Sequence, residues 1–493
     1  MIHTAYRRTI ARWRNRGVTE GNPPAVTIFQ WLLVTVPVLL ALTSYEFQSY
    51  AVLALITQAL VALNILLLII VTREVLKTRT IGKFCLVGGT FIFYWLDALT
   101  LSSTKNPFSI VEGFPINAAQ FDQDMIQQAL VYVSVFQLLL FVGYSIRPRV
   151  DRPIRFFTSR VDSLSLDRTL IAMLLVASSI MPLLIYYDFD GAKIITALLT
   201  SRSGSELESP EPGLASHIAV FGIYGASLFF VYALKAKTWQ RFWWLLLGVL
   251  AALPLISGGA RHVWLYISLP SLLIVLRGFK GSFTTSRLLA LVSVALLILI
   301  VAQVQIAYRA VGWQEIGSEK TPELSTLNTN GQFAALLFAE YLVPNEHPYF
   351  LEPVEPYFVI HWIPRQIWPT KPIMETWTYY NDRYVEGAAF NVTPSVIGQF
   401  HMSFGLGGVA FIGLWLGLLT LFADRFLLLV NSDRQRAMFV VVGMFYAFII
   451  SSFRFYSPIY FSYFLFGVIA MLLLTRRPHA QTALVLKPQE VTA

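Results

Sequence analysis

"YAVLALITQALVALNILLLIIV", residues 50–71, runs for 22 residues without one charged side chain. A helix rises 1.5 Å per residue, so this stretch is long enough to cross the roughly 30 Å hydrocarbon core of a bilayer. It is not isolated. The chain has 493 residues, of which 56% are hydrophobic and 13% charged, against about 25% charged in soluble proteins. These values place it among polytopic membrane proteins. The expected class is all-α, with about twelve transmembrane helices and a large external loop that carries amphipathic helices.

Working outward from 50–71, comparable segments fall at 25–44, 84–103, 125–146, 169–187, 216–234, 242–257, 262–277, 287–307, 402–422, 437–452 and 456–474. The pair 242–257 and 262–277 is short and flanks "SGGARH", which reads as a tight external hairpin or a broken pair. Lys and Arg collect on the cytoplasmic side of membrane proteins. With the N-terminus inside and strict alternation, the cytoplasmic segments hold 27 of the 37 Lys and Arg but only 8 of the 28 Asp and Glu. Both termini then fall inside, as an even number of spans requires. The basic start "YRRTIARWRNRG" reads as a cytoplasmic anchor of an uncleaved first span. The net charge of +9 is thereby explained without nucleic acid as a partner. The single cysteine, Cys85, sits in an apolar run and excludes an intrachain disulfide.

The chain therefore reads as one integral membrane domain over 1–493. It has a cytoplasmic N-terminus at 1–24, external loops at about 104–124, 188–215 and 308–401, and a cytoplasmic tail at 475–493. Within the longest loop, "GQFAALLFAEYLV" (331–343) has apolar residues at helical spacing and is expected to lie along the membrane interface. "EPVEPYFVIHWIPRQIW" is expected to form a second surface-hugging piece, stiffened by Pro353, Pro356 and Pro364.

The ten external cations run against the charge rule: Lys105, Lys193, Arg202, Arg261, Arg309, Lys320, Arg365, Lys371, Arg383 and Arg454. Several adjoin span ends, where a charge costs a few kcal/mol unless it has a partner or a job. Either each pairs with an external acid or a headgroup, or the set grips an anion. Guanidinium forks match phosphate oxygens and stay charged at any relevant pH, and a lipid-linked pyrophosphate lies at that depth. Trp362 and Trp368 flank Arg365 and are candidates to stack on sugar rings; the other aromatics of this region fit an interfacial belt. Of the external histidines His217, His262, His347, His361 and His401, none has zinc-ligand spacing. His361 lies four residues before Arg365 and is a candidate base for a sugar hydroxyl, with Glu340, Glu355, Asp382 and Glu386 as rivals. Asp188 and Asp190 form a DxD spacing after the fifth span, with no further metal ligand evident. Asp97 is an intramembrane acid, expected to pair with an external Arg or to act as a functional carboxylate.

"WIPRQIWPTKP" (362–372), followed by "NVTPSVIGQFHMSFGLGGVAFIGLWLG" (391–417), resembles the O-antigen polymerase (Wzy) family of oligosaccharide repeat-unit polymerases. "LLTSRSG" around Arg202 and "SGGARHVW" around Arg261 fit the same pattern, and the likeness covers roughly 200–420. Some members carry an Arg-x15-Gly element; here Gly278 follows Arg261 one residue too far on. The resemblance implies a metal-independent, GT-C-like glycosyltransferase without cofactor, in the bacterial inner membrane with its active site facing the periplasm. It would move a growing glycan from undecaprenyl pyrophosphate to the non-reducing end of a new lipid-linked unit. The flippase (Wzx) and chain-length regulator (Wzz) of such a pathway would be partners. On this reading Arg261, Arg365 and Lys371 hold the pyrophosphate, with Arg202 and Arg309 as second choices. His361 or Glu340 takes the acceptor proton, and Trp362 and Trp368 hold sugar. The alternatives are an O-antigen ligase, which passes the glycan to lipid A core, and a lipid-oligosaccharide flippase. A flippase would need charge deep within many spans, where this chain has almost none.

Overall fold

The computed structural model describes residues 24–47, 49–78, 80–103, 106–110, 119–146, 168–199, 214–257, 261–278, 331–360, 363, 367–384, 393–430 and 435–474. Among these it is helical, with one isolated bridge between Ser109 and Gln120 and no strand. In chain order the helices are α1 (Pro24–Thr43), α2 (Tyr50–Thr78), α3 (Gly82–Ser102), α4 (Gln123–Ser145), α5 (Arg168–Tyr186), α6 (Gly191–Leu199), α7 (Leu214–Lys235), α8 (Thr238–Ser257), α9 (Arg261–Gly278), α10 (Gln332–Leu342), α11 (Glu355–Ile360), α12 (Glu375–Tyr384), α13 (Val396–Leu429), α14 (Arg436–Ser452) and α15 (Pro458–Leu474). Eleven of the twelve expected segments fall on helices; the ninth, 287–307, lies outside the described residues. Five helices are long and apolar enough to cross a membrane: α1 to α4 and α13. The protein is a helical membrane protein.

The expected pair at 242–257 and 262–277 resolves into two separate helices. α8 packs on α7 and α5, whereas α9 packs mainly on α14.

Lipid cannot satisfy buried polar groups, so the bundle satisfies them internally. Trp95 Nε1 donates to Gln137 Oε1 at 3.0 Å, and Gln137 Nε2 donates to Asn64 Oδ1 at 2.6 Å, tying α3, α4 and α2 together. A π-helical turn at Phe91–Trp95 resets the face of α3 so that Tyr94 and Trp95 are both fully buried. Where α4 meets α13, backbones touch. A Cβ added at Gly417 would lie 2.1 Å from Leu140 O, and one at Gly143 2.1 Å from Leu414 O. Gly413 and Gly417 form the small-xxx-small pattern that permits such approach.

Cross-links between helices join ends that the charge-derived alternation puts on one face. At the end expected to face inward, Lys83 Nζ contacts Glu74 Oε1 at 2.8 Å and Gln30 Nε2 donates to Glu74 Oε2 at 2.9 Å. Nearby, the buried Asp424 carboxylate accepts from the Tyr144 and Tyr446 hydroxyls and from Gly82 N. At the opposite end, the outer one on the same expectation, Gln127 Nε2 donates to Ser44 O, and Tyr266 Oη donates to Tyr460 O.

One expectation is overturned. Residues 331–343 do not lie along an interface. α10 is sunk among α13, α4 and the outer half of α3, with Phe333, Leu336, Leu337, Phe338 and Ala339 all buried. The reason is that α10 is apolar on nearly every side, with only Gln332 and Glu340 breaking the pattern, and such a helix is stable inside a core rather than on it. Its 11 residues are too few to span a bilayer. Among the described residues Asp97 is likewise not paired with an arginine. Its Oδ2 accepts from Phe333 N and Ala334 N, both at 2.9 Å, and caps the first turn of α10 from another helix.

Candidate functional site

The outer end of α13 is built around a break. Ser395 caps the helix, its Oγ accepting from Gly398 N at 2.9 Å. Ten residues on, Gly405 has φ 59° and ψ −145°, a conformation that glycine adopts at little cost and other residues do not. The turn around it leaves carbonyls without helical partners. Met402 O and Ser403 O instead accept from Phe350 N and Leu351 N, both at 3.0 Å. Tyr349 closes against the break, where a Cβ on Gly405 would come 3.3 Å from its ring. Broken helices at membrane depth are tolerated where protein covers the irregular backbone, and in transporters they line binding sites.

Beneath this break sit polar groups without partners. Glu340 on α10 is 3% exposed, and neither carboxyl oxygen has a hydrogen-bond partner. Burial pushes its carboxyl well above the usual glutamate range. His401 on α13 is fully buried, and its Nε2 lies 2.8 Å from Val343 O. A carbonyl can only accept, so Nε2 carries the proton and Nδ1 is left as a bare acceptor, itself unpartnered. Tyr132 on α4 stacks obliquely on His401 at 5.1 Å and lies within electrostatic reach of Glu340, as does Tyr45. Gln128 Nε2 donates to Tyr132 Oη at 2.7 Å, which leaves the phenolic proton to donate elsewhere. Tyr349 meets His401 edge-on at 5.9 Å. Tyr45 and Tyr349, both within electrostatic reach of Tyr132, are exposed and are the solvent-facing members of the cluster.

A second convergence lies at the outer end of α15. His262, next to Arg261 at the start of α9, stacks on Tyr463 with Nε2 3.2 Å from its hydroxyl. α11, which leads into 361–372, places Phe358 against Tyr456 and Phe461. The turn joining α14 to α15 carries Arg454. Its Nε is buried without a partner, and among the described residues no ion pair engages it. Three segments remote in sequence thus meet at one helix end. The proline-rich loop is held at its base: Glu352 accepts from Tyr357 Oη, Glu375 N, Thr376 N and Thr376 Oγ1 at 2.7–3.0 Å. The Gln399 side chain bonds both backbone groups of Tyr456, which couples this corner to the residues preceding His401.

Of the sequence-derived candidates, Arg202, Arg309, Arg365, His361 and Trp362 lie outside the described residues, and for Arg261 only the backbone position is described. Lys371 donates from Nζ to Ile363 O at 2.9 Å and so staples the loop. Trp368 is exposed. Two other external cations follow the ion-pair alternative: Lys193 with Asp190 at 3.8 Å and Arg383 with Glu346 at 3.9 Å. Asp190 of the DxD pair accepts from Ala192 N and Lys193 N and starts α6. Among the described residues no three His, Cys, Asp or Glu side chains come together. Tyr132 was not singled out from the sequence, and His401 and Arg454 were named there only as one of five external histidines and one of ten external cations, without a role of their own. A histidine inside a glycine-rich span entry and an arginine between two apolar runs were the available signals. No family model matches the chain, and no curated protein or solved structure matches it either.

Proposed function

We propose that the protein is a lipid-pyrophosphate-dependent glycosyltransferase. It extends undecaprenyl-pyrophosphate-linked repeat units into an O-antigen-type polysaccharide at the periplasmic face of the bacterial inner membrane. The proposal includes twelve spans in a GT-C-like arrangement. The observation that carries it is that one end of the bundle holds both a buried carboxyl, Glu340, with neither oxygen hydrogen-bonded, and a buried arginine nitrogen, Arg454 Nε, without a partner among the described residues.

The chemistry balances with this chain's own groups. An acceptor hydroxyl oxygen attacks the anomeric carbon, the carbon–oxygen bond to the diphosphate breaks, and the diphosphate leaves with the electron pair. The hydroxyl proton passes to a carboxylate, Glu340, or to the imidazole of His361. Fixed guanidinium groups stabilise the charge that grows on the leaving diphosphate, an effect typically worth about 2.7–4 kcal/mol per donor removed.

The test is a reaction of purified full-length protein with a synthetic lipid-diphosphate repeat unit, read as a ladder of polymer. Glu340→Gln is expected to lose about 100- to 10,000-fold in rate, the range of general-base catalysis. Arg365→Ala is expected to abolish long chains while membrane abundance stays unchanged. Absence of any ladder with wild-type protein overturns the reading. Carrier-linked polymer accumulating in a deletion strain would assign the ligase reaction instead.

A further inference from the structure

The cluster beneath the break in α13 is separate from the cation corner, and its chemistry is different. It offers two acceptors, the Glu340 carboxyl and His401 Nδ1, both buried and both unpartnered. It offers donors in the Tyr132, Tyr45 and Tyr349 hydroxyls. No Lys or Arg among the described residues is bonded to any of these groups, so the cluster is poorly suited to a phosphate. Leaving such groups unpaired away from water is costly. A site built to hydrogen-bond a substrate hydroxyl carries that cost in its empty state.

We propose that this cluster binds a sugar ring of the glycan that accepts the transfer, an inference that rests on the glycosyltransferase reading. The ring enters between Tyr45 and Tyr349, whose faces suit the apolar side of a pyranose. Its hydroxyls point inward, one donating to His401 Nδ1 and one receiving from Tyr132 Oη. That arrangement delivers the attacking hydroxyl toward Glu340. His401 acts here as a binding and positioning residue: with Nε2–H committed to Val343 O, its Nδ1 faces the ligand as an acceptor only. The bond to Val343 O, three residues beyond Glu340 at the end of α10, also fixes the ring relative to that helix, so acceptor and base move as one unit.

The experiment uses full-length protein in detergent and two probes. One is the lipid-free oligosaccharide released by mild acid from the producing cells' own surface glycan; the other is farnesyl diphosphate. Wild-type protein is expected to bind both. His401→Phe and Tyr349→Ala are each expected to weaken oligosaccharide binding at least tenfold with farnesyl diphosphate affinity unchanged. Tyr349 is exposed, so its variant decides the matter if His401→Phe fails to fold. Oligosaccharide binding within twofold of wild type in the folded variants, or none in wild type, overturns the inference. Loss of farnesyl diphosphate binding in wild type, with oligosaccharide binding intact, overturns the diphosphate-dependent reading alone.

Discussion

At the residue scale, Glu340 sets stability against function. Burial raises its carboxyl above the ordinary glutamate range, so the folded protein holds this proton more tightly than the unfolded chain. The stability this provides is complete below the unfolded carboxyl range and is lost as pH rises from there through the raised value. The base is competent only when ionised, so the rate should rise along the same window. Tyr45 and Tyr132 lie within electrostatic reach of it, and His401 and Tyr349 adjoin Tyr132. Glu340→Gln is therefore expected to flatten the fall of stability with pH while removing the rising limb of kcat/KM. Paired thermal-unfolding and rate series across pH check it, and an unchanged slope in the variant refutes the assignment. Arg454 gives a separate test: its loss is expected to weaken farnesyl diphosphate binding about 10- to 150-fold, the range of a charged hydrogen bond of roughly 1.5–3 kcal/mol. Glu340 was legible in the sequence as an acid in an apolar run. That it has no partner was not, because three other helices decide what surrounds it.

At the element scale, the break in α13 is the feature on which the site depends. The sequence shows an apolar run rich in glycine, but helical pattern alone cannot tell a kink from a close helix contact. Gly405 serves the first purpose and Gly413 and Gly417 the second. Gly405→Ala places a Cβ where φ is strongly disfavoured and against the Tyr349 ring. It is expected to cost about 1–3 kcal/mol of stability and, by displacing residues 349–351, to weaken oligosaccharide binding as well. Thermal unfolding and the oligosaccharide titration measure the two effects, and a variant that matches wild type in both would show the break to be incidental. The misplacement of α10 has the same origin. Its sequence specifies a helix without a polar face, and whether such a helix lies on a membrane or within a bundle is set by the faces that α3, α4 and α13 present to it. Asp97 illustrates this: it was readable as an unusual intramembrane acid, and its use as a cap for a helix 236 residues distant was not.

At the scale of the whole molecule, charge asymmetry and packing group the same helix ends by independent routes. The charge rule orders the loops without reference to contacts, and the contacts join helix ends without reference to charge. The Glu74–Lys83–Gln30 group and the Asp424 group gather at one end, and the Glu340 and Arg454 clusters at the other. What packing does not fix is which end meets the cytoplasm, since a bundle and its inverted placement have identical internal energies; the expectation there rests on the basic segments alone. Cysteine labelling settles the point with little background, because the native Cys85 is buried. Leu351→Cys and Val359→Cys introduce thiols at positions 67% and 72% exposed on the site-bearing end, and Gln240→Cys introduces one at the opposite end, in the exposed first turn of α8. In intact cells whose outer membrane is permeable to the reagent, a maleimide that cannot cross the inner membrane is expected to label the first two and spare the third. Lysis should then expose Gln240→Cys. The reverse pattern would put Glu340 and Arg454 on the cytoplasmic side, where a flipped lipid-linked substrate is not presented, and the proposed reaction would fail with it.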